Sequence, residues 1–157
     1  MFRLAILLIT VLPSLAVAQE RDPWLGKRVF TKEGAIAKVG NEIIDRSKFL
    51  FPSTVGDVNG DWLWLGRAWV QKKDVMETQQ ALEFYTERIR LNSSDSTSWR
   101  ERASVWREKG EIENAIKDYT EAIRLDPKEA TSFGRRGIAL RRKGDVDAAI
   151  KDYNDIV

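Results

Sequence analysis

The stretch that decides the fold is STSWRERASVWREKGEIENAIKDYTEAIRL, Ser96–Leu125, because ATSFGRRGIALRRKGDVDAAIKDYNDIV, Ala130–Val157, repeats it 34 residues later. Trp99 recurs as Phe133, Ala103 as Gly137 and Trp106 as Leu140. Gly110 recurs as Gly144, Ala115 as Ala149 and Tyr119 as Tyr153. Of 28 comparable positions 11 are identical, including the run Ala-Ile-Lys-Asp-Tyr. A period of this length predicts paired helices stacked into a solenoid, because one unit cannot bury its apolar face alone.

Punctuation divides the stretch into helices. Ser96–Lys109 ends at Gly110, which suits the left-handed residue after a helix. Glu111/Ile112–Leu125 ends before Asp126-Pro127, where proline cannot continue a helix interior. Ala130–Lys143 ends at Gly144, and Asp145–Val157 is the last helix. Upstream, Ala81, Tyr85, Thr86, Glu87, Ile89, Arg90 and Leu91 lie 34 residues before Ala115, Tyr119, Thr120, Glu121, Ile123, Arg124 and Leu125. Thr78–Leu91 is therefore a second-helix copy without its own first helix, with a polar loop, Asn92–Ser96, after it. The expected units are a lone helix at 78–91, a repeat at 96–129 and an incomplete repeat at 130–157. A complete second repeat needs about six more residues, which implies a truncated fragment or an end covered by another molecule.

Counted from Ser96, Trp99, Ala103, Trp106, Ala115, Tyr119, Ala122 and Pro127 fall at repeat positions 4, 8, 11, 20, 24, 27 and 32. This large, small, large, small, aromatic, small, proline pattern resembles the tetratricopeptide repeat. With Phe133, Gly137, Leu140, Ala149 and Tyr153, these are the expected repeat-packing residues. The resemblance implies a surface that holds a peptide or partner protein. In that family first helices line a concave groove, with contacts from repeat positions 2, 5, 9 and 12. Carried onto this chain, those positions are Thr97, Arg100, Ser104 and Arg107, then Thr131, Gly134, Ile138 and Arg141. Gly134 brings no side chain to the groove, and Ser104 and Ile138 stand where some members carry the Asn of a carboxylate clamp.

Charge divides along the same helices. Ser96–Gly110 is +2 and Ala130–Lys143 is +5, while Glu111–Glu129 and Asp145–Val157 are each −3. Two explanations stand side by side. Acidic residues favour helix starts and basic ones helix ends, which accounts for Glu111, Glu113, Asp145 and Asp147 and for Arg107, Lys109, Arg141, Arg142 and Lys143. A positive groove selecting an acidic peptide or a C-terminal carboxylate accounts for the same division.

The first eighteen residues read as a leader. Arg3, the apolar run Leu4–Leu12, Pro13 and Ala16-Val17-Ala18 form a signal peptide (residues 1–18) with cleavage between Ala18 and Gln19. Leu4–Ala18 is shorter than the roughly 20 apolar residues of a spanning helix. The expected mature chain carries 25 basic and 24 acidic residues, a balance unlike the basic excess of nucleic-acid binders. Export to the periplasm or beyond the cell follows, with no membrane insertion after cleavage.

Between the leader and the helices the period is that of strands. Arg28-Val-Phe, Ile36–Val39, Ile43-Ile44, Thr54–Val58, Trp62–Leu65 and Ala68–Val70 are short β-prone runs. Asn59-Gly60 predicts a hairpin turn with positive φ at both central residues. Such a run of strands suggests a small closed barrel over 24–75. Asn59-Gly-Asp-Trp-Leu-Trp-Leu-Gly-Arg-Ala-Trp-Val70 resembles the bacterial SH3-like domain, with Ala68 where Gly is common. Trp62 and Trp64 share one strand face, Leu63 and Leu65 the other. A barrel this small needs large core side chains, so Trp64 and Trp69 are expected inside. Trp62 stands evenly between core and an exposed aromatic site.

The chain contains no His and no Cys, which removes Ser-His-Asp and Cys-His sites and His- or Cys-ligated zinc. It has no Gly-rich phosphate loop. Asp57-x-Asn59-Gly60-Asp61 falls out of step with a calcium loop, whose twelfth position here is Ala68. No catalytic residue, metal or cofactor is expected. The expected class is α+β in two domains: an SH3-like barrel, then an antiparallel-helix solenoid. The expected function is a non-catalytic adaptor of the bacterial envelope, binding a protein or acidic peptide, without nucleic acid. The alternatives are an accessory domain of a larger envelope enzyme, and a cell-wall-binding module acting through the barrel.

Overall fold

The computed structural model describes residues 21–32, 34–40, 42–44 and 52–156. The leader and its cleavage site at Ala18–Gln19 lie outside the described residues.

The first half is built from antiparallel strands in two sheets. β1 (Arg28–Thr31), β2 (Ala37–Val39), β3 (Glu42–Ile44), β4 (Ser53–Thr54), β5 (Asp57–Asn59), β6 (Trp62–Trp64), β7 (Trp69–Gln71) and β8 (Val75–Glu77) follow in chain order. The sheet orders are β4-β1-β8 and β3-β2-β7-β6-β5. Among the described residues this is two sheets rather than the single closed barrel expected. The reason is the partner choice of β1, which takes β4 on one side and β8 on the other instead of joining β2. A 3-10 turn, Lys72–Asp74, carries the chain from β7 in one sheet to β8 in the other.

Register explains the core. Val58, Leu63, Val70, Ala37 and Ile44 form one cross-strand row, and directly opposed residues share a face. Leu63, Val70 and Ala37 of this row are buried with Val29, Val55, Leu65, Ala68 and Val75, while Val58 and Ile44 pack at its rim. Trp64 and Trp69 oppose each other in the neighbouring row and therefore turn outward together. They are half-buried on the outer face, ring centroids 5.6 Å apart at 49°, and the expectation of core positions is corrected. The hairpin is shifted as well. Asn59 pairs with Trp62, so the loop residues are Gly60 and Asp61. Only Gly60 has positive φ (56°), as a turn with glycine at its first central position requires.

The second half is α1 (Thr78–Leu91), α2 (Ser96–Glu108), α3 (Ile112–Leu125), α4 (Ala130–Lys143) and α5 (Val146–Asn154). α1 starts where the Glu77 backbone N–H donates to Gln80 Oε1 at 3.2 Å, one half of a capping box. Gly144 ends α4 with φ 96°, the left-handed conformation that relieves terminal carbonyls. The helices pack in sequence, α1 on α2, α2 on α3, α3 on α4 and α4 on α5.

The halves share a core. Phe30 of β1 and Met76 of β8 are buried with Ala81 and Tyr85 of α1 and Val105 of α2. The strands thus fill the place of the first helix that α1 lacks. Arg28 of β1 also pairs with Glu108 of α2.

Candidate functional site: the first-helix wall of the repeats

Equivalent residues build equivalent scaffolds in the two repeats. Ala103, Ala115, Tyr119 and Ala139 form one buried cluster, with Trp106, Ile112 and Ile116 packed against it. Ala122 and Ala149 are buried too, and Pro127 is exposed in the turn after α3. Trp99, Phe133 and Leu140 are half-buried. The Trp99 indole N–H donates to the Ser93 carbonyl at 2.9 Å. Gly137 leaves room for Tyr153: a Cβ there would stand 2.5 Å from the ring.

An arginine clamp recurs inside each repeat. Arg102 donates to both carboxylate oxygens of Asp118, at 2.7 and 2.9 Å. Arg136 does the same to Asp152, at 2.8 and 2.6 Å. Each guanidinium also reaches the threonine of a neighbouring second helix, Thr86 at 3.5 Å and Thr120 at 3.1 Å. Each lies over the aromatic ring three residues earlier, Trp99 at 4.8 Å and Phe133 at 5.8 Å. Sequence reasoning misses the pairing of Arg102 with Asp118 and of Arg136 with Asp152. The signal was available, because Arg102/Arg136, Asp118/Asp152 and Thr86/Thr120 are all identical pairs 34 residues apart.

A second network joins the repeats. Arg135 of α4 donates to both oxygens of Glu101 on α2 at 3.2 Å, and to Ser104 Oγ at 2.9 Å. Ser104 Oγ lies 3.0 Å from the Tyr119 hydroxyl. Burial pushes the Tyr119 hydroxyl pKa up, against the opposing influence of Arg107 and of this hydrogen bond. Arg100 reaches Glu101 at 3.0 Å and Glu129 at 3.2 Å. Burial alone would lower the Arg100 pKa, but these two carboxylates hold it raised. Glu129 caps α4, accepting from the Thr131 and Ser132 amides at 3.2 and 3.0 Å and from the Ser132 hydroxyl at 2.6 Å. Burial works to raise its pKa, yet Ser132, Thr131 and Arg100 together hold the carboxyl at about 2.

These networks place the residues carried over from the family. Thr97, Thr131 and Arg141 are exposed and Ile138 is half-buried, so these four offer surface to a ligand. Arg100 is engaged by two carboxylates. Ser104 and Arg107 are interior, 1% and 7% exposed. The charge division acquires a third and structural cause. Arg102 and Arg136 of the first helices answer Asp118 and Asp152 of the second, and Arg100 and Arg135 answer Glu101 and Glu129. At the end of α4 Arg141, Arg142 and Lys143 are all exposed, with Lys143 within 3.8 Å of Glu113.

Residues 103–144 match the family model described as TPR repeat. No curated protein matches the chain in sequence. Among solved structures, the chain is similar to the first TPR of Spaghetti (RPAP3) bound to HSP90 peptide SRMEEVD, at 23% identity and TM-score 0.50, covering 50% of this chain and 63% of that one. It is similar to the same degree to the TPR2B-domain:pHsp70 complex of yeast Sti1, at 23% identity and TM-score 0.50, again covering 50% and 63%. The crystal structure of MamA aligns at 25% identity and TM-score 0.49, over 50% of this chain, which spans 46% of that one. The two alignments at TM-score 0.50, with the family match at 103–144, establish the fold of the helical half, a TPR-type stack.

Proposed function

We propose that this chain is a non-catalytic adaptor whose helical half holds a segment of a partner protein against the first helices of its repeats. The observation that carries the reading is the TPR repeat match at 103–144, on a stack whose exposed first-helix residues include Thr97, Thr131 and Arg141. Exposed Arg141 and Arg142 favour an acidic segment, which arginine can hold through paired hydrogen bonds. The strand half acts as an SH3-like module that seats α1. The leader pattern at 1–18 supports work in the bacterial envelope or outside it.

The test is capture from envelope extract by the chain beginning at Gln19, followed by titration with the captured partner. Arg141→Glu with Arg142→Glu should weaken binding at least about tenfold, and more salt should weaken it further. Lys117→Glu with Lys151→Glu, exposed changes on the second helices, should leave it nearly unaltered. Equal losses in both variants would mean nonspecific charge attraction and overturn the reading.

A further inference from the structure

The outward row of the five-stranded sheet has no part in the helical stack. Ile43, Lys38, Trp69, Trp64 and Asp57 oppose one another across it, and Gln71, Trp62 and Asn59 form the next row on the same face. Three tryptophans therefore lie side by side, each half-buried. Gly56 lies flush against Trp64, where even a Cβ would come within 3.4 Å of the ring. Buried indoles usually find an acceptor for their N–H. The indole N–H groups of Trp62, Trp64 and Trp69 and the side-chain amides of Asn59 and Gln71 have no protein partner among the described residues and are open to solvent, so a ligand can take them up. The Lys38 ammonium stands over the Trp62 ring at 4.5 Å. An open depression of about 240 Å³ is lined by Lys38, Gly40, Asn59, Trp62 and Trp69.

We propose that this face is a glycan-binding platform. Lys38 leaves the Trp62 ring for a sugar hydroxyl, Trp62 and Trp69 stack against the C–H faces of a neutral sugar ring with equatorial substituents, and its other hydroxyls bond Asn59 and Gln71. The depression is smaller than the roughly 300–1,000 Å³ of pockets that engulf a drug-sized ligand. It takes one ring of a chain that runs on over Trp64. The charges on the face, Lys38 and Asp57, offset each other, which favours an uncharged ligand. The tryptophans sit on β6 and β7, inside the sheet, where backbone groups are already paired, so a peptide cannot bind here by adding a strand. A proline-rich segment would offer carbonyl acceptors but few donors. Sugar hydroxyls both donate and accept, as do the two free amides.

The test is calorimetric titration of the full chain with cellotetraose and chitotetraose, and separately with a polyproline peptide. At least one saccharide should bind. Trp62→Ala and Trp69→Ala should each weaken it at least about tenfold. Asn59→Ala and Gln71→Ala, polar changes that spare the core, should weaken it by about threefold with the melting temperature unchanged. Trp99→Phe, in α2, should bind as the parent does. No saccharide binding up to about 10 mM would overturn the proposal, as would binding of polyproline alone. Saccharide affinity that survives both Trp62→Ala and Asn59→Ala would overturn it too.

Discussion

Tyr119 and Tyr153 occupy the same place in the two repeats, inside the same Ala-Ile-Lys-Asp-Tyr run. Tyr119 is fully buried, whereas Tyr153 is 38% exposed. Arg107 and Arg141 show the same contrast, one interior and one on the surface. Yet Ala115 and Ala149 are equally buried, and the Arg102–Asp118 clamp is reproduced atom for atom by Arg136–Asp152. The difference separates two kinds of information. Contacts within a helix pair belong to the repeat motif and recur with it. Burial between pairs belongs to the neighbour: α4 supplies Arg135 and Ala139 to the face that carries Ser104 and Tyr119.

The largest expected effect comes from overpacking. Ala115→Leu should cost about 1–3 kcal/mol in urea unfolding, because α3 is held between α2 and α4. Ala149→Leu should cost less, since among the described residues α5 packs chiefly on one neighbour, α4. Equal costs would mean that both repeats are held equally tightly. A smaller effect separates the tyrosines. Tyr119→Phe should cost about 1 kcal/mol by removing a buried hydrogen bond to Ser104, and Tyr153→Phe close to nothing.

The helices were legible where one residue decides a boundary. Pro127 and Gly144 fixed the turn after α3 and the end of α4, and the 34-residue echo located α1. The strand half was less legible. Val75-Met76-Glu77 runs into α1 without a turn residue, so β8 is missing from the expected β-prone runs although the helix start at Thr78 is legible. Alternation in Trp62–Leu65 defined two faces but not which one is inside. That choice rests on Leu63 pairing with Val70 while Trp64 pairs with Trp69. The candidate groove suffered from long-range pairing. Glu101 and Arg135 share a repeat position with opposite charges, a sign of a cross-repeat ion pair that net charge per helix conceals. Counting helix charge therefore treated arginines as available for a ligand when carboxylates of the chain already hold them.

The smallest effect concerns acid. Glu129 and Asp95 cap equivalent helices, and both pKa values are lowered, that of Glu129 from 4.5 to about 2. A carboxyl depressed on folding contributes stability that is fully present above its unfolded value. That contribution is lost as pH falls from about 4.5 through about 2. Glu129→Gln should therefore flatten the fall in melting temperature over that interval. An unchanged slope would show that Glu129 is not held by Ser132, Thr131 and Arg100.

Hydrogen exchange tests the central claim most directly, because it reads the two second helices of the repeats in one experiment. α3 and α5 share the same core sequence, but among the described residues α3 packs on both α2 and α4, and α5 chiefly on α4. The account predicts that α3 amides exchange only through openings close to global unfolding, while α5 amides exchange much sooner through local ones. Equal protection of α3 and α5 would contradict it, by showing that repeat sequence rather than neighbouring cover sets the stability of each helix.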